Sequence, residues 1–142
     1  MAAELIPLAP GLSVAGRLDR ADIDALARVG VRTIINNRPD DEEPGQLPAA
    51  EAQQFAEAQG IAYHHIPITA ASLTRADVDV FAGILDTAPQ PVVAHCRSGT
   101  RSTLLWALTR LCAGADPRAL IAEAARYGID IAALPAVATR LR

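Results

Sequence analysis

Lysine is missing from this chain: all 13 basic residues are arginines. Against 16 acidic residues they leave a net charge of -3, so no basic field exists to hold a polyanion, and nucleic acid is excluded as a partner on charge. Long apolar runs are missing as well. None approaches the roughly 20 residues that span a bilayer, and the opening MAAELIPLAP lacks a basic stretch followed by an apolar core. The expectation is a cytoplasmic protein with no membrane partner. Cysteine is scarce, with only Cys96 and Cys112. If the segment from Thr100 is helical, a rise of about 1.5 Å per residue separates the two by roughly 18 Å, which rules out a disulfide between them. Cys112 follows Leu111 in a leucine-rich stretch and reads as a small buried hydrophobe. His64 and His65 are neighbours, one facing inward and one outward on a strand. No further ligands stand at compatible spacing, so neither a metal nor a cofactor is expected.

What is present suffices for one core. A chain of 142 residues with 51% hydrophobic content predicts a single domain over residues 1–142. Short β-branched runs alternate with amphipathic helical segments, an α/β pattern without internal repeats. Leu12 to Val14 reads as an opening strand. A helix from about Arg20 to Val29 turns Ile23, Leu26 and Val29 inward, with Asp19 as N-cap and Gly30 as its stop. Val31 to Ile35 is a central strand, Ala49 to Gln59 a helix opened by Pro48, and Ile61 to Ile68 a strand. Thr74 and Asp77 form a capping box for a helix to about Ala88. Pro91 to Ala94 is a short apolar strand, and helices follow over about Pro117 to Tyr127 and Ile131 to Arg140.

The segment that carries chemistry follows the apolar strand: His95-Cys96-Arg97-Ser98-Gly99-Thr100-Arg101-Ser102. Ligands of open α/β sheets bind beyond the carboxyl ends of strands, and a helix N-terminus offers free N–H groups with partial positive charge. A thiolate at Cys96 would be stabilised by that helix end, by successive amides and by Arg97 and Arg101, which makes it a nucleophile. Gly99 permits the turn that aims the amides inward. Ser102 is placed to hydrogen-bond the sulfur or assist its departure. Arg38 ends the central strand at the same sheet edge, where it either binds substrate or pairs with the run Asp40 to Glu43.

His-Cys-x-x-Gly-x-Arg-Ser resembles the phosphate-binding signature of cysteine-dependent phosphatases, and the preceding elements resemble their dual-specificity branch. Ile35-Asn36-Asn37-Arg38-Pro39-Asp40, Ile66-Pro67-Ile68 and the His95 to Ser102 loop are together similar to the bacterial family named for the phosphatase-like domain of β-lactamase hydrolase-like proteins, over roughly residues 5–125. The resemblance implies a central, mostly parallel sheet of about four strands flanked by helices. It implies Cys96 and Arg101 as catalytic residues, an anion cradle formed by Arg97, Ser98, Gly99, Thr100, Arg101 and Ser102, and a supporting layer of His95, Arg38 and Asn36.

Two features depart from the phosphatase pattern. Only four residues separate Cys96 from Arg101 where that signature has five, and Cys-Arg-Ser-Gly-Thr-Arg instead matches the length of the rhodanese loop, a cradle for a cysteine persulfide. The loop Thr69-Ala70-Ala71-Ser72-Leu73 also lacks the aspartate that protonates a departing alkoxide, a step contributing roughly 10²–10⁴-fold. Asp40, Asp41, Glu42 and Glu43 are the available replacement acids. The leading expectation is therefore sulfur transfer through a Cys96 persulfide, from a small-molecule sulfur donor to a thiol acceptor. The alternative is a phosphatase acting on a phosphorylated substrate through phospho-Cys96, and the third reading is a non-catalytic sensor of anions or persulfides.

Overall fold

The computed structural model describes residues 4–142. Eleven elements alternate along it: β1 (Ile6–Ala9), β2 (Leu12–Ala15), α1 (Arg20–Arg28), β3 (Thr33–Asn36), α2 (Ala49–Glu57), β4 (Ala62–His65), α3 (Arg75–Thr87), β5 (Val92–His95), α4 (Thr100–Cys112), α5 (Pro117–Ala125) and α6 (Leu134–Arg140). The strands form one sheet in the order β1-β2-β5-β3-β4, parallel except for the antiparallel β1–β2 hairpin.

The sheet has five strands rather than about four. β1 escapes the sequence reading because Pro7 lies inside it and its pairing with β2 is irregular between Pro7 and Ala9, a pattern that suits an edge strand. Several other expectations shift at their ends. Val29 is exposed, not inward, because the chain leaves the helix there, at the C-cap of α1. Cys112 is exposed rather than buried. The buried run of α4 extends from Ser102 to Leu108, and the final turn carries Cys112 beyond the core.

Alternation along the strands divides the interior in two. Val14, Ile35, Val92 and Ala94 face Phe81 of α3 and Leu104, Leu105 and Leu108 of α4, with α5 and α6 packed beyond. Ala15, Ile34, Tyr63 and Val93 face Ile23 and Leu26 of α1 and Ala52 and Ala56 of α2. From β3 the chain crosses to β4 on one side, then returns past β3 to place β5 on the other. β3 and β5 therefore flank a topological switch point, where the loops after two adjacent parallel strands diverge and leave a crevice.

Candidate active site

Register fixes what meets in that crevice. Asn36 lies opposite His95 across the β3–β5 pair, so the segments Asn37-Arg38 and Cys96-Arg97 leave the same sheet edge together. The Asn37 N–H bonds the His95 carbonyl at 2.7 Å, extending the contact one residue past the strands. Cys96 is fully buried, and its N–H is held by the Ala15 carbonyl of β2 at 3.3 Å.

Gly99 takes the left-handed conformation, φ 92°, as N-cap of α4. That conformation turns its N–H back onto the Cys96 sulfur at 3.1 Å. A residue with a Cβ would resist this backbone, so the glycine is required by the hydrogen bond it makes. Helix geometry leaves the first-turn N–H groups of Thr100, Arg101 and Ser102 without carbonyl partners inside α4, and their dipoles converge on the loop. Gly16 supports the loop from beneath: a Cβ there would lie 3.0 Å from the Arg97 carbonyl oxygen.

Above the sulfur the site is dominated by ion pairs. Arg101 gives Nη1–H to Glu42 Oε2 at 2.7 Å and Nη2–H to Glu42 Oε1 at 2.8 Å, and Nη1 also reaches the Ile68 carbonyl at 3.0 Å. Glu42 Oε1 accepts from Arg38 Nε as well, at 3.0 Å. Arg38 passes Nη2–H to Glu43 at 2.7 Å, and Glu43 also binds Arg17 Nε at 2.6 Å, with Arg97 at 3.7 Å. Of the two roles open to Arg38, pairing with the acidic run is the one observed. Arg101 is held charged above its ordinary value first by the Glu42 hydrogen bonds and, to a lesser degree, by the Cys96 sulfur it faces.

These pairings decide the state of the candidate acids. The Arg101 hydrogen bonds, followed by those of Arg38, hold Glu42 below the usual carboxylate range. Arg17 and then Arg38 pull Glu43 down to about 2. Asp40 is committed elsewhere, accepting the Ala49 N–H at 2.9 Å where Pro48 supplies no side-chain cap to α2. Asp77 closes the capping box with Thr74. The loop over residues 69–73 presents hydroxyls bonded to each other, Thr69 to Ser72, and is tied down by Arg140 on the Ala70 and Leu73 carbonyls. Glu42 and Glu43 are thus held ionised by arginines, and Asp40 and Asp77 are engaged by backbone N–H groups.

The supporting residues are placed as follows. Asn36 is buried, receives the Arg38 N–H and donates to the Tyr63 hydroxyl at 2.9 Å. Burial raises the Tyr63 phenol to about 12. Ser102, expected at the sulfur, donates instead to Asn37 Oδ1 at 2.8 Å, while Asn37 Nδ2 donates to the Ile66 carbonyl. Ser98 and Thr100 pair their hydroxyls at the rim. His65 Nε2 contacts the Arg38 carbonyl at 2.8 Å. His95 is 5% exposed, and its Nδ1 is buried without a partner. Burial, with smaller contributions from Arg38 and His65, lowers it to about 4 against partial opposition from the Cys96 and Gly16 backbone.

The sequence reading missed two residues with structural work at this site, Asn37 and Gly16. Asn37 stands inside the Asn36-Asn37-Arg38 run, whose polar side chains at the end of an apolar strand were the available signal. Gly16 gave none, because its role arises from contact with a loop 81 positions away, Arg97. A cleft of about 690 Å³ between the β1–β2 hairpin, α3 and the end of α4 is lined by Gln90, Trp106 and Cys112, among others, and by none of the loop from Cys96 to Ser102. Among the described residues no helix is long and apolar enough to cross a membrane.

Residues 4–115 match the family described as β-lactamase hydrolase-like protein, phosphatase-like domain. A β-lactamase hydrolase-like protein from Agrobacterium fabrum is 37% identical over 123 residues, which cover 86% of this chain and 28% of that protein. The chain thus spans little more than a quarter of that relative. A crystal structure from Neisseria meningitidis Z2491, provisionally named a phosphatase, superposes with a TM-score of 0.84 at 34% identity, covering 95% of this chain and 96% of that one. The kinase associated phosphatase shares the fold at 16% identity, with a TM-score of 0.71 and coverage of 100% and 93%.

Proposed function

The chain belongs to the family of the phosphatase-like domain of β-lactamase hydrolase-like proteins, and within that cysteine-phosphatase fold we propose that it transfers sulfane sulfur through a persulfide on Cys96. The observation that carries the reading is the six-residue span from Cys96 to Arg101, in which the Gly99 N–H already rests on the sulfur, while Glu42 and Glu43 are held ionised by arginines. Such a ring suits an anion centred on one sulfur atom. It also suits a reaction in which no alkoxide needs a proton.

The Cys96 thiolate attacks the outer sulfur of a donor R–S–S⁻. A new S–S bond forms, the donor's S–S bond breaks, and its electron pair leaves on the thiolate R–S⁻, so that the two negative charges end on R–S⁻ and on the outer sulfur of the Cys96 persulfide. A thiolate acceptor then attacks the outer sulfur of the Cys96 persulfide, and the Cys96 thiolate leaves. Loop amides, the start of α4 and the Arg101 guanidinium stabilise the negative sulfur at each stage.

Phosphatase activity is the second reading, and it is the one the comparisons support, since none of them bears on sulfur transfer. The fold is that of cysteine phosphatases, and the same thiolate and arginine could form a phosphocysteine. Three assays run side by side separate the two: sulfur transfer from an alkyl persulfide to a thiol, thiosulfate:cyanide transfer, and aryl phosphate hydrolysis, each with Cys96→Ser as blank. Cys96-dependent sulfur transfer without hydrolysis is expected. Cys96-dependent hydrolysis with no sulfur transfer from either donor would replace the first reading with the second.

A further inference from the structure

The sequence reading considered Glu42 as a substitute proton donor and, within the run Asp40 to Glu43, as a partner for Arg38. Its place in the structure fits a different task. Three of the five N–H groups of Arg101 are taken, two by Glu42 and one by the Ile68 carbonyl. The remaining two can serve one more anion. Whatever binds there lies about 4–5 Å from the Glu42 carboxylate, the distance across a shared guanidinium fork.

Glu42 is not free to swing aside. Its side chain is gripped by Arg38 as well as Arg101, and its own N–H bonds Gln46 Oε1 at 3.0 Å. Gln46 Nε2 is anchored on the Pro39 carbonyl at 2.8 Å. Arg38 is itself almost wholly buried, with its side chain 6% exposed. Leaving the site would cost Glu42 three charge-assisted hydrogen bonds, each roughly twice as strong as a neutral one. The carboxylate is therefore a fixed part of the pocket wall.

We propose that Glu42 sets the charge class of the substrate, making the loop accept a singly charged organic persulfide in preference to dianions such as thiosulfate or a phosphoryl group. The inference rests on the reading of Cys96 as a sulfur carrier. The network holds four arginines, Arg17, Arg38, Arg97 and Arg101, against Glu42 and Glu43, and Glu42, paired directly with Arg101, trims the positive charge that the loop would otherwise turn on an anion. At equal distance a dianion meets twice the repulsion from Glu42 that a monoanion meets. The discrimination therefore comes from a residue 54 positions before the nucleophile, on the loop after β3.

The test compares the native chain with Glu42→Gln, which keeps shape and removes charge, and Glu42→Asp, which keeps charge. Two quantities are read: the ratio of kcat/KM for thiosulfate to that for an alkyl persulfide, and the affinity for inorganic phosphate at pH 8 by calorimetry. In Glu42→Gln the ratio and the phosphate affinity should each rise about tenfold, while Glu42→Asp stays near the native values. Glu42→Ala provides the same comparison should Glu42→Gln not fold. A change below twofold in both quantities, or an equal rise in Glu42→Asp, overturns the proposal. If no variant transfers sulfur at all, it is the function of Cys96 that has been misread. Phosphate affinity then decides the role of Glu42 alone: a rise upholds it as an excluder of dianions, and no rise refutes it.

Discussion

His95 should make the fold acid-sensitive from about pH 6.5 down to about pH 4. Its ring is buried beside Cys96 and held near 4, whereas an unhindered histidine titrates at 6.5. Between those values the unfolded chain binds a proton that the folded chain refuses. The His95 contribution to stability is therefore complete above about pH 6.5, falls as pH drops toward 4, and levels off below. The full difference corresponds to about 3 kcal/mol, of which about 2 kcal/mol is lost by pH 5. Glu43, drawn down to about 2, contributes stability that disappears only at lower pH, as it falls through the folded value. Urea denaturation at pH 7 and pH 5 measures the effect, and His95→Gln supplies the comparison. The native chain should lose about 2 kcal/mol more than the variant. An NMR titration of the His95 ring gives a second reading that does not depend on the variant folding. A difference below about 0.5 kcal/mol, or a ring midpoint near 6.5, would refute the reasoning.

Two further outcomes follow from the loop and its support. Inserting one glycine between Thr100 and Arg101 restores the seven-residue phosphatase span; sulfur transfer should fall about 100-fold from misplacement of the ring while vanadate binding improves, and calorimetry showing weaker vanadate binding would contradict this. Ser102→Ala leaves Asn37 Oδ1 without its donor in a buried position, so urea melts should show a loss of about 1–3 kcal/mol; a change within 0.3 kcal/mol would mean that bond is dispensable.

The parts of the fold readable from sequence were those whose cause is local. Asp19 and Thr74 cap α1 and α3 as their spacing requires, and the apolar run before His95 becomes the central strand β5. Cys96, Gly99 and Arg101 were identifiable because strand, turn and helix start coincide within a few residues. What the sequence concealed depends on distant contact. Nothing local to Ser102 shows that its hydroxyl will meet Asn37, 65 positions earlier. Likewise the acidic run after Pro39 resembles a solvated face until the sheet brings Glu42 onto Arg101. Cys112 was misjudged for another reason: its leucine neighbours belong to the buried face of α4, but the helix outlasts the core.

The meeting of Glu42 and Arg101 across 59 positions also has a bearing on when the chain becomes competent. Their loops come together only once β5 lies between β2 and β3, as the last strand in chain order and the centre of the sheet. Before that event Cys96 is an ordinary thiol on a flexible chain, lacking its helix end, its glycine N–H and its arginine. On the reading of Cys96 as a sulfur carrier, charging with sulfur is then expected only of the folded chain. Rapid alkylation during refolding would mark the moment of closure: the cysteine passes from open reactivity to complete enclosure in the same step that assembles its chemistry.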